Sequence, residues 1–201
     1  MAPSSKPSLY EQARQEGHLV LRQKLLRLAS QILSESGYHA LSMRRLAKEA
    51  GCSTMVLYNT FGSKEGLVNE LYQEGFSLLH NGAKAIPLTS STEDNLLQLC
   101  LHYRTIAIEN PTHYAIMFEQ AIPDFNPSEE SRSQGKQSME PLLKAVSQGI
   151  QQGDIKHAEA EPFAMMLWAS LHGIVSLELT NYLPPEVTQH MIKTLLSRLL
   201  G

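Results

Sequence analysis

The residues of this chain best suited to chemistry lie between Leu41 and Lys64, in the run Leu41-Ser-Met-Arg-Arg-Leu-Ala-Lys-Glu-Ala-Gly51-Cys-Ser-Thr-Met-Val-Leu-Tyr-Asn-Thr-Phe61-Gly-Ser-Lys64. Their types suit contact with phosphates and base edges rather than bond-breaking. Ser42 and Arg44 stand at the start of one short amphipathic segment. Thr54, Met55, Tyr58 and Asn59 form one arc of a second segment, whose opposite side carries Val56 or Leu57 for packing.

Two short helices must hold these side chains. Ser42 is suited to cap the first, and Leu46, Ala47 and Ala50 share the face that a helix buries. Gly51 ends that helix, since glycine reaches positive φ without a steric penalty, and Ser53 is placed to cap the next. A turn of about three or four residues between two helices is a helix-turn-helix arrangement. The small residues Ala47 and Gly51 let the pair approach closely.

Charge is distributed to match. Through Lys64 the chain has Lys6, Arg14, Arg22, Lys24, Arg27, Arg44, Arg45, Lys48 and Lys64 against Glu11, Glu16, Glu35 and Glu49. The whole 201-residue chain nevertheless carries a formal net charge of −3, so a basic end is joined to an acidic body. That asymmetry is expected of a protein that meets phosphates at one end.

Residues from about 22 to 72 resemble the N-terminal domain of the TetR family of bacterial transcriptional regulators. The resemblance rests on Ala29 to Leu33, Gly37-Tyr38, Leu41-Ser-Met-Arg-Arg-Leu-Ala, Gly51, Leu57-Tyr58 and Phe61-Gly-Ser-Lys-Glu-Gly-Leu67. By position it implies a DNA-binding set of Ser42, Arg44, Ser53, Thr54, Met55, Val56, Tyr58, Asn59, Thr60 and Lys64, with Lys64 gripping phosphate behind a Ser63 cap. Family members often carry Gly or Pro near position 55 and a second aromatic or His at 59 and 60; Met55, Asn59 and Thr60 depart from that. Phe61 is expected in the core, and Tyr58 is divided between core and phosphate. A second likeness, to one branch of the family with a Trp-x3-His-Gly run, rests on Trp168-Ala-Ser-Leu-His172-Gly173.

The remaining 130 or so residues suffice for a second helical unit with its own core. Helices are expected from Ser63 to about Ala83, Thr92 to Asn110, His113 to Ala121, Met139 to Gly153, about Glu161 to Asn181, and Pro185 to Leu200, with proline and glycine as stops. The polar run from Asp124 to Lys136 reads as a loop or a capped helix start. With no alternating strand pattern, the expected fold is all-α with about nine helices. It comprises an N-terminal arm (1–17), a three-helix DNA-binding domain (18–64), and a helical-bundle effector-binding and dimerisation domain (65–201).

Phe76, His102, Tyr103, Met117, Phe118, Trp168 and His172 supply an apolar body with polar tips, the lining of a small-molecule pocket or equally of a core. A small apolar or aromatic effector is the expected ligand, and the fourth helix is the expected lever between the two domains. Ile174, Leu177, Val187, Met191, Leu195 and Leu199 offer stripes for a homodimer seam, which would let two recognition helices read a palindromic operator. The expected function is a repressor released from that operator by its ligand; the alternative keeps the fold as a protein-binding adaptor.

Catalysis is not expected, since no nucleophile elbow, phosphate loop or dinucleotide fingerprint occurs. Eight histidines at scattered positions and two distant cysteines, Cys52 and Cys100, lack metal-ligand spacing, so no metal and no cofactor is expected. No apolar leader and no bilayer-spanning run is read from the sequence, which points to a cytoplasmic protein. In the arm, Lys6 and Arg14 are candidates for tracking a minor groove.

Overall fold

The computed structural model describes residues 8–156 and 159–201. Among these residues it holds ten α-helices and one short 3-10 turn, with no strand. The chain forms two compact units that divide between Leu71 and Tyr72.

In the first unit, α1 (Leu9–Ser36) precedes a turn at Tyr38–Ala40, then α2 (Met43–Ala50) and α3 (Thr54–Phe61). Residues 8–17, expected as an arm, are instead the first turns of α1. Ser8 and Glu11 close a reciprocal capping box there, with the Ser8 N–H donating to Glu11 Oε2 at 2.7 Å. Lys6 and the remainder of that arm lie outside the described residues. Only the later part of α1 is anchored, through Leu25, Leu26, Ala29 and Ile32. Leu41, Leu46, Ala47, Leu57 and Phe61 are buried in the same unit. α4 (Lys64–Ala85) starts in this unit, where Leu67, Val68 and Leu71 are buried, and contributes its later turns to the second. Arg22 and Glu70 tie α1 to α4 by a two-pronged ion pair.

The second unit continues with α5 (Thr92–Glu109), α6 (Pro111–Phe118), α7 (Glu129–Gln137), α8 (Glu140–Gln152), α9 (Ala160–Leu179) and α10 (Pro185–Leu200). Ser91 caps α5 by accepting from the Asp94 N–H, Pro111 stands in the first turn of α6, and Gly153 ends α8 in a left-handed conformation. The core is built by Leu96, Leu99, Cys100 and Tyr103 of α5, Ala145 and Val146 of α8, Phe163, Leu167, Leu171 and Val175 of α9, and Ile192 and Leu196 of α10. Burial pushes the Cys100 thiol up to about 12, so it stays a neutral packing group. Arg104 of α5 and Glu178 of α9 form a buried, two-pronged ion pair that fixes the register of the two helices.

The polar run that reads as a loop or a capped helix start becomes α7. Periodicity alone does not reveal this helix, because Glu-Glu-Ser-Arg-Ser-Gln-Gly-Lys-Gln contains no apolar side chain. One expectation needs correction: α9 is long and apolar enough by length and composition to cross a bilayer, with a mean hydropathy of 1.3. One of its faces forms the core, and a second, exposed face carries Met165, Met166 and Leu177. Two apolar faces on one helix give it this composition.

Candidate nucleic-acid interface

Ser42 adopts an extended conformation, and its hydroxyl accepts from the Arg45 N–H at 3.1 Å, which orients the start of α2. Arg44 is exposed beside it, whereas Arg45 pairs with Glu49 one turn on at 2.7 Å. At the other end Gly51 has φ 65° and ψ 31°, and the Cys52 N–H reaches back to the Ala47 carbonyl at 3.0 Å. This left-handed stop turns the chain sharply into α3.

α3 is held by Leu57 and Phe61, which are four residues apart and buried. Phe61 is therefore a core aromatic. Its opposite arc faces solvent, with Met55 65 % and Tyr58 49 % exposed, Asn59 exposed, and Thr54 and Val56 half-buried at the edges. Tyr58 thus stands outside the core. Ser53 occupies the N-cap without a side-chain capping bond, so its hydroxyl is open to an outside partner. The Thr60 hydroxyl is already spent on the Val56 carbonyl, at 2.8 Å.

Lys64 opens α4 behind Ser63, whose hydroxyl accepts from the Gly66 N–H at 3.0 Å. Its Nζ stands 3.7 Å above the centre of the Tyr38 ring. That cation–π contact holds the ammonium over Tyr38, and it links two parts of the motif that sequence reading treats separately. Gly66 is required for the same turn, since a Cβ there would stand 2.0 Å from the Phe61 carbonyl oxygen. Across an open cleft of about 670 Å³, Arg14, His18 and Arg22 of α1 face Val56, Asn59 and Thr60 of α3. Arg14 therefore lies alongside the recognition arc on a helix, not on an arm.

This geometry agrees with the comparisons to known proteins. Residues 25–71 match the family model described as bacterial regulatory proteins, tetR family, and residues 96–199 match the tetracyclin repressor-like C-terminal domain. The chain belongs to the TetR family. This TetR-family chain is 21% identical over 194 residues to the HTH-type transcriptional regulator Rv1816 of Mycobacterium tuberculosis, with 82% of this chain and 83% of that protein covered. It is 29% identical over 126 residues to the HTH-type transcriptional activator FasR of Mycolicibacterium smegmatis, covering 62% and 56% respectively. In fold it is similar to the TetR-family regulator PfmR of Thermus thermophilus, with a TM-score of 0.70, 19% identity, and coverage of 88% and 96%. It is a transcriptional regulator with a helix-turn-helix DNA-binding domain.

In the second unit of this TetR-family regulator, an aromatic cluster gathers much of the expected pocket set. Trp168 and His172 stack at 5.6 Å, Phe118 meets them at 5.9 and 5.3 Å, and Phe76 meets Phe118 at 5.6 Å. Tyr103 lies 6.3 Å from Phe118 and brings its hydroxyl to His172 Nδ1 at 3.2 Å. Tyr114, which the sequence reading omits, brings its hydroxyl to the same Nδ1 at 2.7 Å. Its signal is the four-residue spacing to Phe118 on α6. Burial pushes the Tyr114 phenol up to about 12 and holds the His172 imidazole below its ordinary value, favouring the neutral ring.

His102 and Met117 turn toward α4, and His102 still shares a cavity wall with Tyr103 and Trp168. The His102 ring sits against Gly82 and brings Nε2 within 3.0 Å of the Leu79 carbonyl, and Met117 packs over Gly75. A cavity of about 40 Å³ beside His102, Tyr103 and Trp168 has room for a water-sized guest only. A groove of about 380 Å³ opens instead on the side of Phe76, Phe118 and Trp168. Of the expected dimer stripe, Leu177, Val187 and Met191 are exposed, while Ile174, Leu195 and Leu199 pack partly on their own core.

Proposed function

We propose that this regulator is a repressor that binds a palindromic operator as a homodimer and leaves it when a small organic molecule occupies the second unit. The observation that carries the DNA-binding part is the exposed arc Thr54, Met55, Tyr58 and Asn59, bounded by Arg44 and Lys64 and backed by buried Leu57 and Phe61. Such an arc matches a helix laid in a major groove, with base-reading side chains in the centre and phosphate-binding groups at the rim. A single helix of this length reads only a few base pairs, so specificity asks for two copies. The role is regulatory rather than enzymatic, and its DNA target places it in the cytoplasm.

Release follows only if the ligand prefers one arrangement of the two DNA-binding units over another. α4 supports that coupling, because one continuous helix supplies Lys64 to the first unit and Phe76 to the second. The FasR name records an activator. Repression or activation by the present chain depends on where its operator lies relative to a promoter, and in-vitro transcription reads this directly.

The test is selection of bound duplexes from a random pool, followed by a mobility-shift titration at several salt concentrations. A palindrome with half-sites about 34 Å apart or somewhat more, bound with an affinity that falls steeply with salt, is expected. Binding no better than to random DNA, with activity unaffected by Arg44→Ala and Lys64→Ala, would instead favour the protein-binding adaptor.

A further inference from the structure

The groove on the second unit has walls of two different kinds. Phe76, Phe118, Trp168, Met139 and Met165 make its floor apolar, and its mouth carries Arg132 and Lys136, one turn apart on α7. No acid lines it; Glu129 and Glu130 of α7 stand in the first turn of that helix, three and two residues before Arg132, and are not among the residues of the groove wall. Neither Arg132 nor Lys136 has a carboxylate within 4.0 Å among the described residues. Arg132 donates through Nε to the Pro127 carbonyl at 3.0 Å and through Nη2 to Asn126, which orients the guanidinium without neutralising it.

The helix over the floor is unusual for its position. α7 has no apolar side chain to bury, and it is held by polar contacts: Gln73 to Ser131 at 2.8 Å, and Gln134 to Ser77 at 2.7 Å. At Gly135 its backbone runs past the ring of Phe76, where even a Cβ would make ordinary van der Waals contact at 3.4 Å. The aromatic floor therefore keeps an apolar surface that the chain itself does not fill. Its volume of about 380 Å³ falls within the roughly 300–1,000 Å³ range of small-molecule sites.

We propose that this groove binds a small carboxylate with an apolar body, the head group on Arg132 and Lys136 and the body on Phe76, Phe118, Trp168 and Met139. The inference rests on the ligand-responsive reading above and names the chemical class of that ligand. A guanidinium fork matches a carboxylate in plane, a second cation one turn away strengthens the match, and rings and thioethers accept a flat or linear apolar body.

Trp168 is the chain's single tryptophan and lines the groove, so its emission reports occupancy. The full chain, without DNA, is titrated with 4-phenylbutyrate and octanoate and with their neutral amides, read by Trp168 emission and by calorimetry. Each acid should bind at one site per chain, shift the emission, and bind at least tenfold more tightly than its amide. Arg132→Gln with Lys136→Gln, both at exposed positions, should weaken the acids at least tenfold and leave the amides within twofold. Equal binding of acid and amide, an unaltered acid affinity in the double variant, or no saturable binding by either pair overturns the proposal. Failure of operator binding would sink the regulator reading and leave this result standing. An acid that binds without changing operator affinity would sink ligand release alone.

Discussion

Lys64 illustrates how one side chain serves two purposes. Its Nζ lies 3.7 Å above the Tyr38 ring, so the charge is already oriented for the phosphate contact proposed for it. Lys64→Ala should weaken binding about equally on every DNA sequence and make the slope of log affinity against log salt shallower by about 0.9. Asn59→Ala should instead relax the preference at one base position, by about 1–3 kcal/mol, which competition between single-base operator variants will read. The glycines differ in the same graded way. Gly51→Ala meets open space and strains only the backbone at φ 65°, costing about 1–2 kcal/mol. Gly66→Ala places a Cβ 2.0 Å from a backbone carbonyl, so urea unfolding should show a larger loss for this variant than for the first. His172 gives a pH dependence. Burial holds its folded-state pKa below the ordinary 6.5, so the unfolded chain takes up the proton first as the solution is acidified. The stability it contributes is full above about pH 6.5 and is lost progressively below it. His172→Gln should therefore flatten the urea midpoint against pH in that range relative to the parent.

Elements with strong local signals are readable from the chain, and those that depend on distant partners are not. α2, its turn and α3 can be drawn from Ser42, Gly51 and Leu57, because a cap, a left-handed glycine and a buried stripe each act within a few residues. Trp168 and His172 stack as their four-residue spacing implies, but Tyr114 joins His172 from 58 residues away, a separation that no periodicity reports. The contacts of His102 and Met117 with α4, at Gly82 and Gly75, are hidden from the sequence for the same reason. The start of α1 is signalled by Ser8-x-x-Glu11 but obscured by the exposed, polar turns that follow. α7 lacks an apolar period altogether, and its dependence on hydrogen bonds has a kinetic consequence. The Ser128 hydroxyl caps it by accepting from the Ser131 N–H at 3.2 Å, so Ser128→Ala should destabilise the helix by about 1 kcal/mol. Hydrogen exchange in residues 129–137 should then speed up roughly fivefold while the global melting midpoint barely moves.

For the whole molecule the remaining question is what covers α9 and α10. The core side of α9 is filled by Phe163, Ala164, Leu167, Leu171 and Val175, yet its other side leaves Met166 41 % and Leu177 42 % exposed. Neighbouring α10 leaves Val187 and Met191 exposed as well. Gly173 stands between Met166 and Leu177 along the helix, and a Cβ at that position would meet nothing within 4 Å. Apolar side chains repeated along two adjacent helices, with a glycine that permits close approach, form a surface suited to a second copy of the same pair. A two-fold arrangement would set Leu177 and Met191 of one copy near their counterparts, where like charges cannot be accommodated. Leu177→Glu combined with Met191→Glu should therefore halve the mass seen by sedimentation, and the change in the unfolding midpoint of the separated chain should stay small because both positions are exposed. Each monomer would keep its recognition arc and so its affinity for a single half-site. Its affinity for the full palindrome should fall by about 10²–10⁴, the gain that linking two binding events normally provides. A double variant that sediments as a dimer and holds the palindrome unchanged would place the seam on another surface.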